Sequence, residues 1–132
     1  MPATVDTRFF LTHYLADTEE LKRRTSSRMI ELRREGALVP TIVVHEVYKF
    51  ECENVGRDVA ELRVSSILRS RFRLVDLTSE IAIMSARLRC KYKGLPTADA
   101  IVAATSIAAK SRRVMSDDTH FKEIREIKCE WL

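Results

Sequence analysis

The sequence contains few residues that interrupt or cross-link a chain. Of its 132 residues, only 3 are glycine, 3 are proline and 3 are cysteine. So little glycine and proline excludes a collagen-like or low-complexity chain, and it disfavours an all-β sandwich, which needs many turn residues. The three cysteines are widely spaced and form no Cys-x-x-Cys pair. We therefore expect neither structural disulfides nor a zinc site, as is usual in a reducing cytoplasm.

Long hydrophobic runs are also missing. No uncharged run approaches the ~18 residues that a membrane-spanning helix needs. The first six residues have no basic start followed by an apolar stretch, so we do not expect a secretory signal. These absences favour a cytoplasmic protein that does not enter a membrane.

The residues that are present suit a compact fold of one domain over residues 1–132. Hydrophobic residues make up 45% of the chain, which is enough for a core without metals or disulfides. Lysine and arginine number 23 against 19 acidic residues, which gives a net charge of +4 and a pI of about 9.1. This balance permits a polyanionic partner without demonstrating one.

Short apolar segments alternate with helical patterns along the whole chain. The expected strands cover residues 2–5, 37–43, 72–77, 113–116 and 127–131. Helices are expected after Asp6, from Thr18 to Gly36, from Glu46 to Glu53, over 60–68, 81–92 and 97–110, and after Asp118. Pro40 weakens the second strand because proline cannot donate to a ladder. The alternation predicts a three-layer α/β/α sandwich around a mostly parallel sheet.

Four acidic residues stand at predicted starts of helices. Asp6, Glu46 and Asp118 come where a strand is expected to pass into a helix, and Asp99 lies in the first turn of the helix that begins at Thr97. Taken singly, each is best explained as a helix cap. Ligands of parallel sheets bind beyond the carboxyl ends of the strands, so all four side chains can face one cleft.

Carboxylates that share a cleft repel one another unless a cation lies among them. Oxygen ligands from aspartate and glutamate suit Mg²⁺ or Mn²⁺, and such a site can hydrolyse a phosphodiester. The whole chain has a net charge of +4, so the residues other than these four acids have a net charge of +8. The pattern therefore predicts an acidic cleft within a basic surface.

Four segments resemble a known family. They are Val5-Asp6-Thr7-Arg8-Phe9-Phe10, Val44-His45-Glu46-Val47, the segment from Thr97 to Ala104, and the segment from Val114 to Phe121. Together, in this order, they resemble PIN-domain ribonucleases, especially the prokaryotic VapC-type toxins of toxin–antitoxin pairs. No single segment is specific, but the four together are fairly specific.

This resemblance implies a PIN-like fold and an RNA endonuclease that depends on a divalent metal. It implies metal-binding, catalytic acids at Asp6, Glu46, Asp99 and Asp118, and it gives Ser116 a supporting role. Asp117 ranks as an accessory acid. A small antitoxin protein and a homodimer are also implied by the resemblance, as is RNA rather than DNA as the substrate. Thr7, like Ser116, is expected either to orient a carboxylate or simply to cap a turn.

The densest basic run is expected to contact the RNA backbone. Arg87, Arg89, Lys91 and Lys93 follow one another without an acidic residue, just before the loop that leads to Asp99. The other arginines, on the helix from Thr18 and in a looser set from Arg57 to Arg73, are better explained as solvated helix faces. For His120 there are two alternatives, a contact with a phosphate near Asp118 and a structural hydrogen bond, of which the hydrogen bond is favoured.

Two further hypotheses keep the same fold. One is an RNA-processing nuclease that has no antitoxin, and the other is a non-catalytic module that binds RNA or protein. The presence of all four acids argues against the non-catalytic module. A phosphate-accepting receiver domain fits poorly because Asp6 has no acidic neighbour after the first strand.

Overall fold

A computed structural model describes residues 1–132. The strands are β1 (Thr4–Val5), β2 (Leu38–Pro40), β3 (Arg73–Val75), β4 (Arg113–Met115) and β5 (Lys128–Glu130). The helices are α1 (Thr7–Tyr14), α2 (Glu19–Glu35), α3 (Thr41–Asn54), α4 (Arg57–Arg69), α5 (Ser79–Lys91), α6 (Thr97–Ala108) and α7 (Thr119–Lys122). Strands and helices alternate as the sequence predicts.

The five strands form one sheet in the order β3-β2-β1-β4-β5, and every pair is parallel. Helices flank the sheet, which confirms the predicted α/β/α architecture. β5 lies at an edge, as predicted for residues 127–131. In a parallel sheet, the carboxyl ends of all strands point the same way. We call this end of the sheet its carboxyl edge, as distinct from an outermost strand such as β5. Residues that follow different strands are brought side by side there.

The second predicted strand was too long. Residues 37–43 were expected to be extended, but β2 ends at Pro40 and α3 begins at Thr41. Pro40 has a φ of −60° and stands directly before the helix, where proline commonly precedes or opens a helix. Val43 and Val47 are buried one turn apart on α3, so tertiary packing overrides the β-branched character of this segment.

The helix expected over 97–110 is also shorter. α6 ends at Ala108, and Lys110 follows in the left-handed region with a φ of 61°. Residues 100–106 of α6 are all buried, and the helix contacts β1, β2 and β4. Its small alanine side chains allow that close approach to the centre of the sheet.

The core is a cluster of 24 buried side chains, among which Phe9, Phe10 and Phe121 are fully buried. Phe10 packs edge-on against Phe72, with ring centres 5.5 Å apart. This contact joins α1 to the start of β3. None of the seven helices is both long enough and apolar enough to span a membrane.

Candidate active site

The ends of β1 and β4 bring two of the predicted acids together. Val5 pairs with Met115 in the sheet, and the Asp6 amide donates to the Met115 carbonyl at 3.2 Å. Asp6 and Asp118 therefore leave the same edge of the sheet from neighbouring strands. Each is also a helix cap, because Asp6 accepts from the Arg8 amide and Asp118 from the His120 amide.

Asp6 is 2% exposed, so its carboxylate depends on hydrogen bonds from the protein. The Ser116 hydroxyl donates to Asp6 Oδ2 at 2.7 Å. The same Ser116 oxygen accepts from the Asp118 amide at 3.1 Å. Ser116 thus fixes the Asp6 carboxylate relative to the loop that carries Asp118.

Asp99 reaches this cluster from the first turn of α6. Its side chain is 13% exposed, and its Oδ2 lies 3.3 Å from Nδ1 of His120. The same imidazole nitrogen lies 2.8 Å from Asp118 Oδ1. One ligand atom from each of Asp99, Asp118 and His120 lies within 4.8 Å of the others.

Glu46 lies in the second turn of α3 and not where a strand passes into a helix, because α3 begins earlier than predicted. The Thr7 hydroxyl donates to Glu46 Oε1 at 2.7 Å. A cleft of about 480 Å³ opens beside this pair, and its lining includes Thr97 and Ala98 at the start of α6. This cleft provides space for a ligand next to Glu46.

Burial and mutual repulsion disfavour the charged forms of two of these acids. Burial raises the pKa of Asp6 to about 6, against hydrogen bonds from Ser116 and two amides that lower it. Burial raises the pKa of Asp99 to about 7, and the negative charges of Asp6 and Asp118 add to this effect. Both shifts arise first from burial, and the neighbouring charge of His120 only partly offsets the shift of Asp99.

The donor set fits a divalent cation. Asp6, Asp99, Asp118 and Glu46 offer oxygens from four separate elements, and electrostatic coupling links all four. Carboxylate oxygens are the ligands of Mg²⁺ and Mn²⁺, and a cation would relieve the repulsion that raises the pKa values.

Asp117 lies next in sequence to Asp118 but has a different partner. Its carboxylate accepts two hydrogen bonds from the Arg8 guanidinium, at 2.5 Å from Nε and 3.3 Å from Nη2. Asp6 and Asp118 also act electrostatically on Arg8. Arg8, which the sequence left without a role, is therefore a cation at the rim of the acidic cluster.

The predicted RNA-binding run is exposed, but two of its members have partners within the chain. Arg89 Nε donates to the Leu95 carbonyl at 2.9 Å, and Lys91 forms an ion pair with Glu126 at 3.2 Å. Arg87 and Lys93 form no ion pair. The proposed contact of this run with RNA stays a prediction.

Sequence reasoning did not include His120 in the cluster. Its position two residues after the cap Asp118 was the available signal, since a side chain at that distance can turn back to the capping carboxylate. The contact with Asp99, 21 residues earlier in the chain, requires α6 and α7 to pack together.

The sequence matches the PIN domain family over residues 3–127. Comparison with curated proteins finds no significant match. Among solved structures, a chain in the promoter-bound VapBC2 complex of Rickettsia felis superposes with a TM-score of 0.81 at 14% identity, covering 100% of this chain and 99% of that one.

Two other structures show the same fold. A chain of the DNA-bound VapBC complex of Salmonella typhimurium has a TM-score of 0.77 at 17% identity, covering 99% of this chain and 98% of its own. The VapC20 toxin of Mycobacterium tuberculosis, described as cleaving the sarcin–ricin loop, has a TM-score of 0.76 at 15% identity, covering 92% and 93%. The family match extends over nearly the whole chain, and these folds agree with it. The chain belongs to the PIN domain family.

Proposed function

We propose that residues 1–132 form one nuclease domain, an endoribonuclease that depends on Mg²⁺ or Mn²⁺ and hydrolyses RNA phosphodiesters. The observation that carries this proposal is the grouping of Asp99, Asp118 and His120, whose ligand atoms lie within 4.8 Å of one another. The charges of Asp6 and Glu46 also act on Asp99, and the pKa of Asp99 is raised to about 7. Membership of the PIN domain family supports a nuclease. A negatively charged substrate could not approach this cluster without a compensating cation.

Asp6, Asp99 and Asp118 would hold the metal, and Glu46 would share in the site or position the attacking water. A bound divalent cation would lower the pKa of water and stabilise negative charge on the phosphate. Ser116 holds the Asp6 carboxylate in place from one side. Asp117, through its ion pair, fixes Arg8 at the rim, where a phosphate oxygen would find a positive charge.

Thr7 has the corresponding role for Glu46. Its hydroxyl donates to Oε1, and this bond restricts the carboxylate to one orientation. Oε2 receives no hydrogen bond from a side chain of the protein, so it can accept a proton from a water in the adjacent cleft. Proton transfer to a positioned carboxylate is worth ~100-fold or more in rate.

We further propose that this enzyme is the toxin of a toxin–antitoxin pair, acts in the cytoplasm and forms a homodimer. The matching folds include chains from VapBC complexes and a toxin–antitoxin complex from Klebsiella pneumoniae. A small antitoxin would block the cleft. Several large apolar side chains are exposed, among them Leu62 at 63% and Ile83 at 53%, and a dimer or an antitoxin would cover such residues.

The nuclease activity is tested with purified protein and a mixed population of RNA. Cleavage is expected with Mg²⁺ or Mn²⁺ and should stop with EDTA. Asp99→Asn should reduce the rate by more than ~100-fold because it removes a metal ligand. Asp58→Asn is the matched control, since Asp58 lies in the first turn of α4 but is exposed and outside the cluster. Unchanged cleavage by Asp99→Asn would contradict the proposed site.

A separate experiment tests the toxin assignment. Expression of the protein should arrest growth, and co-expression of the small protein encoded beside its gene should restore growth and bind it. RNA cleavage without such a neighbour would favour the RNA-processing nuclease instead. Light scattering of the purified protein tests the homodimer.

A further inference from the structure

A second charged pocket lies away from the acidic cluster. Three arginines and two serines line a depression of about 460 Å³ that contains no acidic and no hydrophobic residue. These residues are Arg33, Ser66, Arg69, Ser70 and Arg71. We refer to them as the arginine pocket.

The arginine pocket lies at the amino edge of the sheet. Arg33 is in the last turn of α2, shortly before β2, while Arg69 ends α4 and Arg71 lies between α4 and β3. The acidic cluster lies at the opposite, carboxyl edge. The pocket is therefore separate from the candidate active site and shares no residue with it.

None of the three arginines forms an ion pair, although the chain has 19 acidic residues. The Nε atom of Arg33 is buried and has no hydrogen-bond partner, and its guanidinium lies 5.7 Å from the centre of the Phe72 ring. Phe72 thus helps to hold Arg33 in place without neutralising its charge. Three uncompensated guanidinium groups form a binding site suited to phosphate oxygens. The serines add no free donor, because Ser70 donates to the Ile67 carbonyl at 2.6 Å and Ser66 is hydrogen-bonded to Tyr14.

The electrostatics of His13 agree with an uncompensated positive region. Its pKa is lowered to about 4, first by burial and then by the charges of Lys22, Arg33 and Arg63. Arg63 itself lies over the ring of Tyr14, 4.6 Å from its centre. Lys22, Arg33 and Arg63 thus place positive charge near the end of α1, where the buried Glu51 is the acidic residue that acts on Tyr14.

A second basic cavity provides a contrast. Arg23, Arg24 and Arg28 line a cavity that also contains Glu31. Arg28 is neutralised there by ion pairs with Glu31, at 2.7 Å, and with Glu130, at 2.9 Å. The arginine pocket has no such internal acid, so an external anion is the better partner for its charge.

Helix α1 links the two sites. It begins beside Asp6 in the acidic cluster and ends at Tyr14, which interacts with Ser66 of the arginine pocket. Its 8 residues correspond to a length of ~12 Å. A single RNA strand can cover that distance with a few nucleotides.

We propose that the arginine pocket binds the phosphate backbone of the RNA substrate at nucleotides away from the cleavage point. This inference rests on the proposed ribonuclease function. It assigns Arg33, Arg69 and Arg71 to substrate binding and predicts that RNA long enough to reach the pocket binds more tightly than RNA that fills only the acidic cleft.

The test is a measurement of RNA binding that does not depend on cleavage. The probe is a fluorescein-labelled single-stranded RNA of about 16 nucleotides, near the upper site size of small single-strand-binding folds. Fluorescence anisotropy in EDTA gives the Kd for the whole protein at several salt concentrations. Arg69→Gln, Arg71→Gln and the charge reversal Arg71→Glu are compared with Arg57→Gln, an exposed arginine at the other end of α4.

Each change in the pocket should weaken binding severalfold and reduce the slope of log Kd against log salt by ~0.7, the value for one lost phosphate contact. Arg71→Glu should have the largest effect, and Arg57→Gln should bind as wild type does. With Mg²⁺, the pocket variants should raise KM for the long RNA more than they lower kcat. Because Arg69 and Arg71 are exposed, their variants should fold normally, which circular dichroism checks.

The failures of the two proposals are distinguishable. If the wild type cleaves RNA but the pocket variants bind the long RNA as tightly as it does, the arginine pocket is not an RNA site and the ribonuclease proposal stands. If no RNA is cleaved but these variants weaken RNA binding, the pocket proposal stands without the enzyme. Inorganic phosphate is titrated in a separate experiment. If the pocket binds free phosphate but its variants bind RNA as the wild type does, the assignment of the pocket to RNA is wrong.

Discussion

The acidic cluster and the arginine pocket lie at opposite edges of the same sheet and carry opposite charge. In the acidic cluster, burial and repulsion raise the pKa values of Asp6 and Asp99. Near the arginine pocket, burial and neighbouring cations lower the pKa of His13. Both regions concentrate like charges that the chain does not neutralise. Under the two proposals above, each region would take a partner of opposite charge, a metal in the acidic cluster and a phosphate in the arginine pocket.

The largest expected effect concerns the stability of the acidic cluster without metal. The folded-state pKa of Asp99 is about 7, above the ordinary value of 3.8, so the folded protein binds more protons than the unfolded chain between these values. Stability in EDTA should therefore fall as pH rises from about 4 to 7. The contribution of Asp99 to this loss should be about 2–4 kcal/mol.

Urea unfolding at pH 5 and pH 8 measures this effect. Between pH 5 and pH 8, the Asp99→Asn variant should lose much less stability than the wild type does. The control Asp58→Asn should lose as much as the wild type. Mg²⁺ at about 100 times its Kd should restore ~2.7 kcal/mol to the wild type at pH 8 and much less to Asp99→Asn. Equal pH dependence in wild type and Asp99→Asn would show that repulsion in the cluster is unimportant.

A smaller effect should follow from loss of the hydrogen bond that orients Asp6. Ser116→Ala leaves a carboxylate that is 2% exposed without its side-chain donor, which should lower the free energy of unfolding by about 1.5–3 kcal/mol at pH 8. The loss should shrink at pH 5, below the Asp6 pKa of about 6, where the carboxyl is protonated.

Ser106→Ala is the matched control for that variant. Ser106 is also buried, but its hydroxyl donates to a neutral acceptor, the Arg113 carbonyl, at 3.2 Å. Its loss should cost ~1 kcal/mol and should not depend on pH. If both serine variants showed the same loss at both pH values, the charge of Asp6 would not explain the role of Ser116.

The smallest expected effect is the loss of stability caused by His13, which lies near the arginine pocket. Its folded-state pKa of about 4 is below the ordinary value of 6.5, so the unfolded chain binds more protons between these values. Stability should be complete above pH 6.5 and fall as pH drops towards 4. We expect a loss of about 1–2 kcal/mol, reduced by partial solvent screening.

His13→Asn tests this contribution, because its side-chain N–H can replace the bond between Nδ1 of His13 and the Thr25 hydroxyl, which are 2.9 Å apart. The variant should show less loss of stability than the wild type between pH 6.5 and 4 in thermal unfolding. Identical acid sensitivity of the two proteins would locate the protonation responsible elsewhere.

The alternation of strands and helices could be predicted because each local pattern agrees with the tertiary fold. Thr18 and Asp118 act as the helix caps that their residue types suggested. The error at residues 41–43 arose because β-branched residues suit a strand as well as a buried helix, and only packing of Val43 and Val47 distinguishes the two. The position of Glu46 in the second turn of α3 could therefore not be predicted from the local sequence pattern.

The acids were easier to identify than the arginines for a topological reason. Asp6 directly follows β1 and Asp118 comes three residues after the end of β4, and parallel strands place the residues after them at one edge. Arg33 lies at the end of α2 and Arg71 in the loop after α4, with 37 residues between them in the sequence, and each alone resembles a solvated surface residue. The contact of His120 with Asp99 is likewise a consequence of how α6 and α7 pack.

The sequence by itself determined the order of strands and helices along the chain and the acidic residues that can meet at the carboxyl edge of the sheet. It also determined the family that the four acid-bearing segments resemble. Tertiary structure alone decided which charges remain without partners: it paired Arg8 with Asp117 and Lys91 with Glu126, and it left Arg33, Arg69 and Arg71 together. The physical reason is that backbone patterns are local, while the electrostatic energy of a side chain depends on every charge around it in space.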